Sequence, residues 1–135
     1  MEKWEASYIA GIIDGEGTIT LTRNHSKEYR RPCIAIASTD KELLIYLQSL
    51  AGGKICNKKN YNPEKHKYSF TLTITKKTDV FSTLQSILPF LRIDKKKLRA
   101  EWILKYYDSV TLRDGKYNQE QLVLKIKFEK EFFLI

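Results

Sequence analysis

Residues 69–74 read Ser-Phe-Thr-Leu-Thr-Ile, an unbroken alternation of hydroxyl and apolar side chains. Successive side chains of an extended strand point to opposite faces, so Phe70, Leu72 and Ile74 share one side and Ser69, Thr71 and Thr73 the other. A strand of this kind needs a sheet with one face buried and one face open. The same pattern occurs twice more. In Thr18–Arg23, Ile19 and Leu21 oppose Thr18, Thr20 and Thr22, and in Arg30–Ala37, Ile34 and Ile36 oppose Arg31, Cys33 and Ala35. A third strand over Lys54–Lys59, with Ile55 inward, and a fourth over Lys67–Thr75 complete a four-stranded set.

Helical spacing fills the rest. Apolar and small residues over Glu5–Ile13 predict a helix that Asp14-Gly15-Glu16-Gly17 stops. Leu43, Leu44, Leu47 and Leu50 line one side of a helix over Lys41–Leu50. Ser38-Thr39-Asp40 offers its N-cap, and Ala51-Gly52-Gly53 closes it. Asp79–Leu88 reads as a helix broken by Pro89. Leu98–Tyr107 reads as another, with Trp102, Ile103 and Tyr106 toward the core, and Asn118 caps a last one running toward Phe132. Asn24–Glu28 and Asn60–Lys65 are polar turns. Two antiparallel hairpins separated by a helix, then helices, define an α+β fold in which helices pack one face of the sheet. At 135 residues the chain is expected to form a single domain, long enough for a core without disulfide or metal staples.

The open face is lined by Thr, Ser, Asn, Arg and Lys. Lys and Arg number 24 against 16 Asp and Glu, a formal charge of +8 that favours a polyanionic partner. A hydroxyl-rich, basic antiparallel ribbon suits the major groove of double-stranded DNA, where such side chains meet base edges. By alternation the DNA-facing candidates are Thr18, Thr20, Thr22, Asn24, Arg31, Cys33, Lys54, Lys58, Ser69, Thr71 and Thr73. Arg31 carries the fork that pairs with guanine, and Lys54 and Lys58 suit phosphates. No apolar run spans a bilayer, the basic residues form no amphipathic helix, and Met1–Gly17 lacks a signal-peptide pattern, so no membrane is expected and an intracellular location is. Cys33, Cys56, His25 and His66 have no metal-site spacing, and the cysteines read as free thiols. The chain has no nucleophile elbow, no phosphate-binding glycine loop and no Cys–His pair for nucleophilic chemistry.

The densest chemistry lies in Ile9-Ala10-Gly11-Ile12-Ile13-Asp14-Gly15-Glu16-Gly17. Gly11 and Gly15 fall on one side of a helix and would admit another backbone closely. Asp14 and Glu16 stand at the helix end where the dipole disfavours negative charge, so they call for a compensating metal cation or facing helix. This segment resembles the LAGLIDADG signature. The resemblance extends to the two-hairpin order and to Leu88–Ile93 followed by Lys95–Lys97. It implies an αββαββα homing-endonuclease-like core with a saddle-shaped sheet, and metal-dependent DNA cleavage.

Residue by residue, the resemblance assigns Ala10, Gly11, Asp14 and Gly15 to a helix–helix dimer interface, with Asp14 capping or orienting the junction. Glu16 matches the acidic position that holds the metal beside the scissile phosphate, with the Gly15 carbonyl as a further ligand. Oxygen ligands suit Mg²⁺, and the metal would activate water and stabilise the leaving oxygen. A basic catalytic residue falls at Lys96, with Lys95 beside it as the alternative. Ser38 or Thr39 occupies the end of strand two, where the family often places a longer polar residue that positions water. One motif copy and no internal repeat imply a C2 homodimer and a long, nearly palindromic DNA site. The alternative is a maturase-like RNA-splicing cofactor, or another non-cleaving nucleic-acid-binding protein, on the same fold. A transcription regulator with an added helix-turn-helix finds too few residues after Tyr107.

Overall fold

The computed structural model describes residues 1–58, 64 and 68–135, with the backbone alone at Lys58. The chain runs α1 (Lys3–Glu16), β1 (Gly17–Thr22), β2 (Arg31–Ser38), α2 (Lys41–Ala51), β3 (Lys54–Lys58), β4 (Ser69–Ile74), α3 (Lys77–Ile87), α4 (Asp94–Tyr106) and α5 (Gln119–Phe133). The expected turn at 60–65, His66 and the start of strand four at Lys67 include positions outside the described residues.

The four strands form one antiparallel sheet in the order β1-β2-β4-β3. Ile34 lies opposite Ile74 and Ser38 opposite Phe70, so β4 enters at the end where β2 leaves. The alternation places Ile19, Leu21, Ile34, Ile36, Leu72 and Ile74 on the inner face, all nearly inaccessible. They join one core with Ile9 and Ile13 of α1, Leu44 and Leu47 of α2, Val80, Leu84 and Ile87 of α3, Ile103 of α4 and Phe132 of α5. Cutting Leu72 back to Ala in such a packed layer would cost about 2–5 kcal/mol.

Helix boundaries differ from expectation in two places. First, α1 continues through Asp14, Gly15 and Glu16 and ends at Gly17. Only Gly17 is sterically required there, because a Cβ on it would stand 2.7 Å from the Ile13 Cα. Second, α4 begins at Asp94, so Lys95–Lys97 belong to its first turn. At α2, Asp40 is the N-cap residue but its side chain accepts no capping bond; its amide donates to Ser38 Oγ at 3.0 Å. Gly52, at φ 78°, turns the chain out of that helix. Pro89 falls in a short 3-10 turn after α3. Asn118 caps α5 as expected, its Oδ1 accepting the Gln121 amide at 2.8 Å.

Candidate active site and nucleic-acid interface

The last turn of α1 has no basic residue of its own; the Ile13 carbonyl accepts the amide of the C-cap residue Gly17, and the carbonyls after it lie past the end of the helical ladder. Lys96 reaches across from α4, and its ammonium donates to the carbonyl oxygens of Ile13 at 2.6 Å and Asp14 at 2.7 Å. The exchange is reciprocal. Asp14 Oδ2 accepts the amide of Arg92 at 3.0 Å, and Oδ1 accepts that of Ile93, the N-cap of α4, at 3.1 Å. Each helix end supplies the partners the other lacks. Asp14 therefore orients a junction inside the chain, between α1 and α4, where the resemblance implied one between partner helices. Lys96 is half-buried in this junction, whereas Lys95 and Lys97 are exposed.

Glu16 closes α1 with its side chain exposed, and it takes part in none of the ion pairs among the described residues. It opens on a cleft of about 530 Å³ shared with Ser38, Thr39, Asp40, Leu43 and Ser69. The structure thus brings Ser38 and Thr39 to the side of Glu16, and adds Asp40, which sequence reasoning had treated only as a cap. Gly15 is also exposed. Among the described residues, no group of three or more His, Cys, Asp or Glu side chains is arranged to hold a metal ion.

Register defines the open face. Thr18, Ala35, Thr73 and Lys54 form one row across all four strands. Ala37, Thr71 and Cys56 form another across three. Thr20 pairs with Cys33 and Thr22 with Arg31, and Ser69 pairs with Lys58. Thr18, Arg31 and Lys54 are exposed, while Thr20, Thr22, Ser69, Thr71 and Thr73 are half-buried. Asn24 is exposed in the β1–β2 turn, where its amide donates to Glu28 Oε2 at 3.3 Å. Lys58 has its backbone in β3, and its side chain lies outside the described residues.

Cys33 is a correction. It has the right register but is only 4% exposed, a short side chain in a strand flanked on both sides, and it offers almost no surface to a ligand. Burial pushes its thiol above the usual cysteine range, Arg31 opposing in part. Cys56, by contrast, is exposed on the face and was missed, although alternation between Lys54 and Lys58 was enough to find it.

A second surface lies on α1. Trp4, Tyr8, Gly11 and Gly15 follow one helical stripe and are all exposed, Trp4 at 67%. Tyr8 also packs edge-on against Tyr46 of α2, ring centroids 5.8 Å apart. A Cβ built on Gly11 or Gly15 meets nothing within 4 Å, so among the described residues no contact explains either glycine. Ala10 does not belong to this surface: it is fully buried and packs into the core.

This geometry matches known proteins. Residues 3–87 match the family model described as a LAGLIDADG-like domain. An intron-encoded DNA endonuclease of Dictyostelium discoideum is 24% identical over 125 residues, which cover 92% of this chain and 47% of that protein. The chain therefore spans about half the length of the curated relative it matches. The homing endonuclease I-CvuI, solved in complex with a DNA target, superposes over 98% of this chain and 82% of its own, with a TM-score of 0.75 at 18% identity. An archaeal intron-encoded homing endonuclease, I-Vdi141I, complexed with DNA, gives 0.64 at 14% identity, over 99% of this chain and 85% of its own. The LAGLIDADG meganuclease I-CpaMI, bound to uncleaved DNA, gives 0.65 at 20% identity over 95% of this chain, but over only 42% of its own. With the motif at the end of α1, the two-hairpin sheet and the family match over most of its length, the chain belongs to the LAGLIDADG family.

Proposed function

We propose that the chain is a site-specific DNA endonuclease that acts as a homodimer, uses a divalent metal, and makes a double-strand cut at a long, near-palindromic site in intron or mobile-element homing. The observation that carries this reading is Glu16, an exposed carboxylate without an ion-pair partner among the described residues, at the end of a helix and beside a basic, hydroxyl-lined sheet. A protein that only bound DNA would gain nothing from an acid held near phosphate.

The donor set fits a hard cation. The Glu16 carboxylate and the Gly15 carbonyl are oxygen ligands at the negative end of α1, which suits Mg²⁺ or a similar ion. Among the described residues one chain supplies too few donors for a closed site, so a second copy and DNA phosphate would complete the ligand set. When bound, the ion lowers the pKa of water and stabilises the departing oxygen. The chain's own residues do the positioning. Lys96 and Asp14 lock α1 to α4, so Glu16 is presented from a fixed helix end. Lys96 binds the carbonyls of Ile13 and Asp14 in the same helix turn, and Ser38 and Thr39 place hydroxyls in the cleft of Glu16.

The glycine stripe supports the dimer. Each glycine in a helix costs about 1 kcal/mol relative to Ala, and among the described residues nothing approaches Gly11 or Gly15 to offset this. A second α1 packed along the stripe would use the space they leave. The open face supports DNA as partner, with Thr18, Thr20, Thr22, Asn24, Arg31, Ser69, Thr71 and Thr73 toward bases and Lys54 toward phosphates.

The test is cleavage of a randomised double-stranded DNA library in Mg²⁺, beside Glu16→Gln. Discrete cuts at one long near-palindrome, absent from the variant but with binding retained, are expected. Binding without cutting by the unsubstituted chain would move the function to a non-cleaving, maturase-like nucleic-acid binder.

A further inference from the structure

Helix α5 lies beyond the stretch matched by the family model, which ends at residue 87. It nevertheless grips the β1–β2 hairpin, through the chain segment that feeds β2. Arg30 lies one residue before that strand. Its guanidinium donates to Glu129 Oε1 of α5 at 3.4 Å and stands over the ring of Phe133 at 5.1 Å. Glu129 is 9% exposed, so this is a largely desolvated acid aimed at the hairpin rather than a solvated surface charge. Tyr29 packs edge-on against Tyr117, just ahead of α5, with ring centroids 4.9 Å apart.

The other side of the hairpin is also tied to the end of α5, through Phe132 and Phe133. Arg99 of α4 stands over Phe132 at 4.7 Å and over Phe133 at 5.9 Å. It donates to the carbonyl of Ile19 in β1 at 3.0 Å. Because β1 is an edge strand, that carbonyl has no strand to pair with on its outer side. Phe133 at the end of α5 thus stands beneath two guanidinium groups, that of Arg30 just ahead of β2 and that of Arg99 in α4, which bonds to β1.

The location matters because of what the hairpin does in the proposed function, on which this inference rests. β1 leads away from Glu16, and six residues of strand carry the chain about 20 Å before the turn at 24–28. The turn and its flanks, Thr22, Asn24 and Arg31, are the part of the β1–β2 arm farthest from the candidate cutting site. They therefore meet the outer base pairs of each half-site.

We propose that α5 is the positioning element of this arm: Glu129 and Phe133 set the pose of residues 22–31 and so determine specificity at the outer base pairs without touching DNA. A positioning role differs from a contribution to stability alone. It predicts a loss of discrimination confined to one end of the half-site, whereas general destabilisation would weaken binding alike at every position.

The experiment selects bound sequences from a randomised double-stranded DNA library with the unsubstituted chain, Glu129→Gln, Phe133→Ala and the surface control Glu131→Gln. Amide hydrogen exchange is measured on the same four proteins without DNA. Glu129→Gln removes the charge that Arg30 meets, and Phe133→Ala removes its ring seat without altering the acid near Lys125. Discrimination of about tenfold per outer position should fall to about twofold in both variants, with inner positions unchanged. Exchange should quicken at residues 22–31 in both. Glu131→Gln should match the unsubstituted chain in both measurements. A variant profile that keeps outer discrimination, or loses inner and outer discrimination equally, overturns the inference and leaves the proposed function standing. Absence of any sequence preference in the unsubstituted chain overturns both. Unchanged exchange at 22–31 in the two variants overturns the positioning role whatever the DNA result.

Discussion

Lys96 and Asp14 hold one another through the main chain. The lysine ammonium donates to the Asp14 carbonyl at 2.7 Å, and the Asp14 carboxylate accepts the amide of Ile93, one turn ahead of Lys96. Helix α1 ends where it does because α4 supplies a cation to its carbonyls. Lys96→Met is therefore expected to cost about 1.5–3 kcal/mol, as for a charge-assisted bond left unmade. Lys95→Met and Lys97→Met, at exposed positions, should stay within about 0.5 kcal/mol of the unsubstituted chain. Urea denaturation of the three variants is the check, and equal effects across them would remove Lys96 from its junction role.

Asp14→Asn should also destabilise, by about 1–2 kcal/mol, because an amide presents one acceptor where two main-chain N–H groups need partners. Since Asp14 and Lys96 share the junction, the double variant should lose less than the sum of the single losses. A double-mutant cycle by thermal or urea unfolding measures the coupling, and strict additivity would argue against a shared junction.

Gly11→Leu is expected to leave the monomer folded, since a side chain there enters open space. It should abolish the proposed dimer by keeping two α1 helices apart. Circular dichroism reads the first outcome and sedimentation velocity the second. An intact dimer in the variant would place the interface elsewhere.

Lys125 gives a pH prediction. Its side chain is 1% exposed, with Nζ donating to Thr111 Oγ1 at 2.7 Å and lying 4.6 Å from the centre of the Tyr107 ring. Burial holds its pKa below the usual lysine value, Glu129 opposing in part. Between the folded and unfolded values the unfolded chain binds more protons, so stability rises with pH through that window. Burial raises the Tyr107 phenol, which acts in the opposite sense only once pH passes the ordinary tyrosine value of about 10. Lys125→Met should flatten the rise, because the group that titrates in this window is gone. Melting temperatures from pH 7 toward 10 test it, and parallel curves for the two proteins would contradict it.

Much of the fold was legible because strand alternation is a local signal. Ile19, Leu21, Ile34, Ile36, Leu72 and Ile74 are all assigned by their neighbours alone, and all are buried. What was not legible depends on contacts distant in sequence. Gly15 read as a stop, yet α1 passes through it to Glu16, with Lys96 of the distant α4 bound to the carbonyls of Ile13 and Asp14 just before it. Lys95–Lys97 read as a basic run ahead of a helix. They form its first turn because the Asp14 carboxylate stands in for the missing cap. Glu16 came from the motif, which names a position in the chain but not what surrounds it; that Asp40 shares its cleft required the structure. Ala10 was placed on the glycine surface by the family resemblance, but helical phase turns it inward.

The order β1-β2-β4-β3 joins the two hairpins through a single seam, β2 against β4, which they enter from opposite ends. Substitutions in the arm closed by residues 24–28 can therefore accumulate without disturbing the register of the other arm. For the proposed site-specific nuclease, this is inheritance by parts: one end of a recognition site can be relearned while the other is kept.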